Sequence, residues 1–344
     1  MQARRPFFSE LTTMGVGGPV GRLVEVTDVT ALRDALGKAD AEEEGALLLG
    51  AGSNLVVSDQ GFPGTVVRLG MKGCRFQREG DSVRVEVGAG EDWPSFVARC
   101  VSEGLSGLEC LSGIPGTAGA TPVQNVGAYG QEVSQVATQV AVWDRGLGRA
   151  RRLLSAECDF GYRTSIFKRQ QRYVVTAVTF CLQRSQLSQP LAYPELAREL
   201  GSAPGATVPL REAAQAVLEL RRKKGMVLDP SDPDTRSAGS FFTNPVLSDA
   251  QMSELAPLAP GVPSFAVTGG TKVPAAWLVE RAGFNRGYQM GRAAISSKHT
   301  LAITARPGAT AAEVVALARA VRDGVAERFG VRLEPEPLLV GLVL

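Results

Sequence analysis

Histidine is almost missing from this chain: His299 is the only one in 344 residues. Imidazole is the usual proton donor or acceptor near neutral pH, so most proton chemistry must fall to other side chains. His299 itself stands in SSKHTLAIT at the mouth of an expected strand, where a structural role is favoured over a catalytic one. Cysteine is also scarce. Cys74, Cys100, Cys110, Cys158 and Cys181 are odd in number and scattered, and no CxxC pair suggests a metal or redox site. They read as reduced, mostly buried thiols of a cytoplasmic protein, and no metal is expected. No run approaches the roughly eighteen apolar residues of a membrane span, and residues 1–15 carry basic side chains without an apolar core. Neither insertion nor export is expected. With 37 basic against 35 acidic residues, the net charge of +2 supplies no cationic surface for tracking phosphates, which argues against a nucleic-acid partner.

Glycine, by contrast, is concentrated. Residues 113–130 read GIPGTAGATPVQNVGAYG, with five glycines and two prolines in eighteen residues. Glycine reaches positive φ and has no Cβ, so successive backbone N–H groups can converge on an anion such as a pyrophosphate. A second turn, LLLGAGSNLVV, joins two short strands through Gly50, Gly52, Ser53 and Asn54. It contains no GxGxxG, and the element after it is a strand, so the helix N-terminus of a Rossmann fold is missing. Two glycine-rich turns some sixty residues apart suit a cofactor whose phosphates lie between two lobes. An FAD pyrophosphate would fit.

The length allows roughly two domains. Apolar runs bounded by glycine predict strands at Ala46–Leu49, Leu55–Ser58, Thr65–Leu69, Val83–Val87 and Tyr173–Leu182, with helices at Val29–Lys38 and Trp93–Glu103. The polar stretch Gln183–Gln189 predicts a domain edge between it and Gly205. Leu210–Lys224 is an expected helix ending in Arg221, Arg222, Lys223 and Lys224 before Gly225. Cations there either complement the helix C-terminus or hold an anionic ligand. The following MVLDPSDPDTRSAGSFFTNP is poor in periodicity and reads as a long ordered loop or a functional one. Thr310 to Glu313 forms a capping box opening a helix through Phe329, and the closing VRLEPEPLLVGLVL puts prolines at a strand start or sheet edge. Trp277 and Phe284 read as core.

Taken in order, GAGSNLVVSDQGFPGTVV, GLSGLECLSGIPGTAGATPVQNVGAYG, FGYRTSIFK, AGSFFTNPV and LEPE resemble the UDP-N-acetylenolpyruvoylglucosamine reductase family, flavoenzymes of bacterial peptidoglycan precursor synthesis. The resemblance spans nearly the whole chain. It implies an α+β protein: a two-lobed FAD-binding domain of the vanillyl-alcohol-oxidase (PCMH) type plus a C-terminal α+β substrate-binding domain. The lobes would be residues 1–70, joined by the C-terminal strand 337–344, and 71–205, with the substrate domain at 206–336. Non-covalent FAD would be reduced by NADPH and then reduce UDP-N-acetylglucosamine enolpyruvate, in a cytoplasmic monomer. The implied FAD-facing positions are Gly50, Gly52, Ser53, Asn54 and Leu55 in the first turn. In the second they are Ile114, Pro115, Gly116, Thr117, Thr121, Val123, Gln124, Asn125, Gly127 and Ala128.

Arg163 in FGYRTS matches the family's catalytic arginine, and a permanently charged guanidinium can clamp a carboxylate. Ser240 in AGSFF matches the proton-donating serine. Glu336, which directly follows the proline of LEPE, matches the catalytic glutamate in preference to Glu334. By the same resemblance Tyr162, Tyr193, Lys224, Asn244 and Gln289 face the substrate, Tyr193 from a covering loop of the longer subtype. The chain departs from the family at Leu338, where some members carry an arginine near the substrate phosphates, and at TTMGVGG, where many have Asn-Thr-Phe-Gly. Two other readings stay open: a flavin oxidase of the same fold acting on a sugar or alcohol, and a UDP-sugar or flavin-binding module without turnover.

Overall fold

A computed structural model describes residues 5–43 and 45–344; residues 1–4 of the N-terminal segment read above for a leader, and Glu44, lie outside the described residues. The chain divides into two units. The first comprises residues 21–51 and 63–227, the second residues 1–20, 52–62 and 228–344. The expected lobe 71–205 falls inside the first unit, and the expected substrate domain is divided, with 206–227 in the first and 228–336 in the second.

The first unit is built on an antiparallel sheet whose strands run, in spatial order, Arg149–Leu154, Ala137–Asp144, Tyr173–Arg184, Ser82–Gly88 and Cys74–Glu79. Alternation along Ser82–Gly88 buries Val83, Val85 and Val87 on one face. Against them packs the helix Trp93–Ser102, whose Asp92 cap accepts from Ser95 N at 3.0 Å. Trp93, Phe96 and Phe180 meet there with ring centroids 5.7 to 5.8 Å apart. In the same unit, strand Ala46–Leu49 runs parallel to Phe62–Leu69, and helix Val29–Ala41 buries Leu32, Leu36 and Ala39 beside them. The crossover between these parallel strands is residues 50–61, which carry the strand Leu55–Val57. The polar stretch Gln183–Gln189 lies inside this unit instead of at an edge, because the buried Glu109 carboxylate accepts Gln189 N and Gly107 N, each at 2.6 Å.

Asp144, at the end of its strand, is buried and takes hydrogen bonds from Arg172 at 3.0 and 3.1 Å and from Arg151 at 3.3 Å. The Arg172 hydrogen bond, joined by that of Arg151, lowers its carboxyl to about 2. A carboxylate depressed in the folded state stabilises the fold above the ordinary carboxylate range, and that stability is lost as pH falls through the folded value. Urea unfolding at pH 7 should therefore show Asp144→Asn less stable than wild type. The gap should close as the pH is brought down towards 2, and a gap independent of pH would contradict this account.

The second unit holds a sheet in the order Ser237–Ser240, Ala302–Ala305, Ala293–Ile295, Gln289–Met290. Helix Ala311–Phe329 packs on it through Val314, Leu317, Val321 and Val325, capped by Thr310, whose Oγ1 accepts from Glu313 N at 3.1 Å. Trp277 lies 6.0 Å from Phe329, ring to ring, and with Phe284 it packs against this core. Strand Leu338–Val340 begins directly after Pro337 and pairs parallel with Leu55–Val57. Among the described residues no helix is long and apolar enough to cross a membrane, and no cluster of acidic, histidine or cysteine side chains could hold a metal ion.

Candidate active site

In the second unit, sheet register places the expected serine. Ser237 lies opposite Thr304 and Ser240 opposite Ala302, with a shift between them accommodated by Gly239 at φ 73°. The next residue, Phe241, donates its N–H to Leu301 O at 2.7 Å, and its own carbonyl accepts Glu336 N at 2.9 Å. Glu336 is thus stitched to the residue that follows Ser240, although 96 positions separate the two in sequence. Its carbonyl accepts Asn54 Nδ2 at 3.3 Å, and Asn54 O accepts Leu338 N at 3.0 Å. Glu336 is half-buried whereas Glu334 is exposed.

His299 also arrives here. Its Nε2 lies 3.2 Å from Ser240 Oγ. The turn that carries it is held by Ser296 Oγ, which accepts the N–H groups of Lys298 at 3.0 Å and His299 at 3.3 Å, and by Ala302 N donating to His299 O at 3.0 Å. Asn244 Oδ1 accepts Ala275 N at 2.9 Å, tying it to the start of helix Ala275–Arg281. Gln289 lies on the opposite edge strand of the sheet from Ser240, three strand spacings or about 14 Å away. Leu338 is exposed.

In the first unit, the glycine-rich run splits into reachable and committed parts. Ile114 to Thr117, Val123, Gln124 and Ala128 are half-buried, while Thr121, Asn125 and Gly127 are buried. Thr121 Oγ1 donates to Ala118 O at 2.8 Å. Asn125, in the left-handed region at φ 46°, donates through Nδ2 to Glu132 at 2.9 Å and to Gly161 O at 3.1 Å, and accepts Ser134 N at 2.9 Å. The side chains of both residues are spent on the protein itself. Gly50 comes against this run: a Cβ there would stand 2.8 Å from Thr117 Oγ1. Gly50 therefore meets the second glycine-rich turn, backbone beside hydroxyl, with Gly116 at φ 145°. Neutral N–H and O–H donors at close backbone approach fit the pyrophosphate of FAD. In the second unit, Gly52 is required by the fold, since a Cβ would fall 2.2 Å from Leu11 O. Ser53 and Asn54 beside it are half-buried and Leu55 is buried.

Asn125 also fixes the arginine. Arg163, at φ 53°, donates to Gly127 O at 2.5 Å and approaches Asn125 O at 3.5 Å, with its guanidinium carbon 5.5 Å from the ring of Tyr162, which is itself exposed. Positive φ at two non-glycine residues in contact marks strain held by the surrounding hydrogen bonds.

A further cluster in this unit centres on Tyr129. With Gly130 it forms the positive-φ turn of the hairpin Gly127–Ala128/Gln131–Glu132, at φ 49° and 87°. Tyr193 meets its ring edge-on at 5.5 Å, and Lys224 Nζ lies 5.5 Å from the same ring. Glu195 accepts from Lys224 Nζ at 2.6 Å. Burial pushes the Tyr129 phenol up to about 12. The basic helix end is divided in use: Arg221 turns inward to Met226 O at 2.9 Å, while Lys223 pairs with Glu199 at 2.6 Å.

A family model for the UDP-N-acetylenolpyruvoylglucosamine reductase C-terminal domain matches residues 230–340, and one for an FAD binding domain matches residues 20–153. The UDP-N-acetylenolpyruvoylglucosamine reductase of Thermobifida fusca is 52% identical over 99% of both chains. The chain belongs to the UDP-N-acetylenolpyruvoylglucosamine reductase family. A second reductase of this name, from Saccharopolyspora erythraea, is 50% identical over 97% of this chain and 94% of its own. The crystal structure of the Thermus caldophilus UDP-N-acetylenolpyruvylglucosamine reductase superposes with a TM-score of 0.67 at 28% identity, covering 98% of each chain.

For this UDP-N-acetylenolpyruvoylglucosamine reductase family member, sequence reasoning passed over His299 as a neighbour of Ser240, and Tyr129 and Glu195 as neighbours of Tyr193 and Lys224. The first carried a signal in being the sole histidine. Tyr129 carried one in standing as the aromatic of the glycine run.

Proposed function

We propose that the chain reduces UDP-N-acetylglucosamine enolpyruvate to UDP-N-acetylmuramate with electrons from NADPH, through non-covalent FAD, in peptidoglycan precursor synthesis. The carrying observation is near-complete coverage at 52% identity to a reductase of that name. In this reading residues 1–70 with 337–344, and 71–205, serve FAD, and 206–336 serve the substrate; the pairing of Leu338–Val340 with Leu55–Val57 supports the joining of the C-terminal strand to residues 1–70. The FAD phosphates take the N–H and O–H donors around Gly50 and Ile114 to Thr117. The chemistry FAD supplies when bound is the acceptance and delivery of a hydride.

The chain's own residues handle charge and protons. Reduction of the enolpyruvyl double bond leaves negative charge on an α-carbon that already bears a carboxylate. Arg163, anchored by Gly127 O, offers that carboxylate a charged partner. Ser240 donates its hydroxyl proton to the α-carbon, and Glu336 orients the substrate carboxyl. Lys224 and Tyr193 bind the nucleotide sugar, Lys224 exchanging Glu195 for a phosphate, and Tyr162, Asn244 and Gln289 provide further contacts. In this reading the protein is a cytoplasmic monomer, and its five free cysteines support the reducing compartment.

Incubation with NADPH and the enolpyruvyl sugar should consume the two stoichiometrically, and mass spectrometry should find the sugar nucleotide heavier by two hydrogen atoms. NADPH consumption without that product would overturn the reading. Denaturation should release free FAD; colour retained by the polypeptide would point to a tethered flavin.

A further inference from the structure

Ser240 poses a chemical problem for the function proposed above, on which this inference rests. A serine that gives its proton to carbon is left as an alkoxide, a far stronger base than its surroundings can stabilise unaided. The structure places one proton source against that oxygen: His299 Nε2 at 3.2 Å. We propose that His299 is the positioning and proton-return residue of the reductive step.

The direction of this hydrogen bond decides what each group can do. If Ser240 donated to the imidazole, its proton would point away from the carbon that must receive it. With His299 protonated on both nitrogens, Nε2–H donates to Oγ and leaves the serine proton available for the α-carbon. The step then balances. The Ser240 O–H bond breaks as the α-carbon–hydrogen bond forms, and the Nε2 proton passes to Oγ, restoring the hydroxyl. The imidazole becomes neutral and regains its proton from solvent. A neutral imidazole could still orient Ser240, but giving up its only N–H would leave an imidazolate, so return of the proton needs the charged form.

The surrounding structure holds the ring for this task. Besides the Ser296 and Ala302 bonds to its backbone, the next residue, Thr300, donates to Glu280 of helix Ala275–Arg281. Opposite, the strand Ser237–Ser240 is locked by Phe241 N to Leu301 O. Both partners of the 3.2 Å contact thus sit on hydrogen-bonded backbone within one unit. The charged groups on the elements about this turn are Lys298, paired with Asp232 at 2.5 Å, and Asp234, which accepts from Ser297 and from Arg306 at 3.3 Å. Glu280, which accepts from Thr300, Arg236, whose carbonyl accepts Ala305 N, and Glu336, whose N–H donates to Phe241 O, lie on neighbouring segments.

The test uses the holoenzyme and follows the two half-reactions separately across pH, together with the proton NMR titration of the single histidine, whose imidazole signals need no assignment by mutation. Wild-type flavin reduced by NADPH should be reoxidised by the enolpyruvyl sugar at a rate that falls as the imidazole signal titrates. His299→Gln keeps an N–H donor that cannot be transferred. It should slow reoxidation by about tenfold to a hundredfold and abolish that pH-dependent fall, with reduction by NADPH unchanged. A wild-type rate indifferent to the imidazole titration, or a variant that reoxidises like wild type, would overturn the relay while leaving the proposed function standing. Should His299→Gln fail to fold, coincidence of the wild-type rate profile with the NMR titration decides. Wild-type flavin that the sugar does not reoxidise at all would remove both the function and the relay.

Discussion

Replacing Ser240 by alanine should leave bleaching of the flavin by NADPH within about twofold of wild type and slow its reoxidation by the enolpyruvyl sugar by about a thousandfold or more. The separation follows from where charge appears. NADPH delivers a hydride without creating a carbanion, so a missing hydroxyl costs that step nothing. Reduction of the enolpyruvyl group leaves charge on carbon that must be quenched by a proton, and the donor proposed here, Ser240, stands against His299 and directly before Phe241, whose carbonyl accepts Glu336 N. Its backbone position is fixed by the partners of Phe241, so alanine should not disturb the fold. Stopped-flow absorbance under anaerobic conditions measures both steps on one sample. Equal losses in the two half-reactions would contradict a proton-donor role.

The second large effect is structural. Asn125→Ala should lower stability by about 3 to 5 kcal/mol, because it removes three part-buried hydrogen bonds of a buried side chain, one to the Glu132 carboxylate, and forces a Cβ residue without polar compensation into the left-handed region. The loss should spread to function, since Arg163 is anchored on the Gly127 carbonyl two residues further along. Asn125→Gly separates the causes. It forfeits the same hydrogen bonds but adopts φ 46° freely, and should recover about 1 kcal/mol relative to alanine. Urea unfolding followed by circular dichroism gives the three stabilities. Wild type and alanine unfolding together, or alanine and glycine unfolding together, would contradict the account.

Elements whose causes are local were legible in the sequence. The capping box at Thr310, the helix Leu210–Lys223 and the strand Tyr173–Arg184 carry their signals within a few residues, and they lie within a residue or two of the expected bounds. Strand Phe62–Leu69 starts three residues before its expected beginning at Thr65, because Phe62-Pro63-Gly64 lacks the apolar alternation that marks a strand. Long-range causes could not be read in this way. Gly52 is required by the Leu11 carbonyl, and the polar stretch after residue 182 stays inside its unit because of Glu109.

The candidate site divides along the same line. Motifs named Arg163, Ser240 and Glu336, yet nothing local says that Asn125 is buried and spent on the protein, or that the hairpin preceding Ala302 swings a lone histidine onto Ser240 from 59 positions away. Tyr129 was hidden for a related reason. Within a glycine run it reads as part of a turn, and only the folded hairpin brings its ring to Tyr193 and Lys224.

One measurement bears most directly on the central claim that the chain carries electrons from NADPH to an enolpyruvyl sugar nucleotide. Under strict exclusion of oxygen, stoichiometric NADPH should bleach the flavin absorbance, and stoichiometric UDP-N-acetylglucosamine enolpyruvate should then restore it completely. A flavin that bleaches, ignores the enolpyruvyl sugar and recovers its colour only when oxygen is admitted would contradict the account.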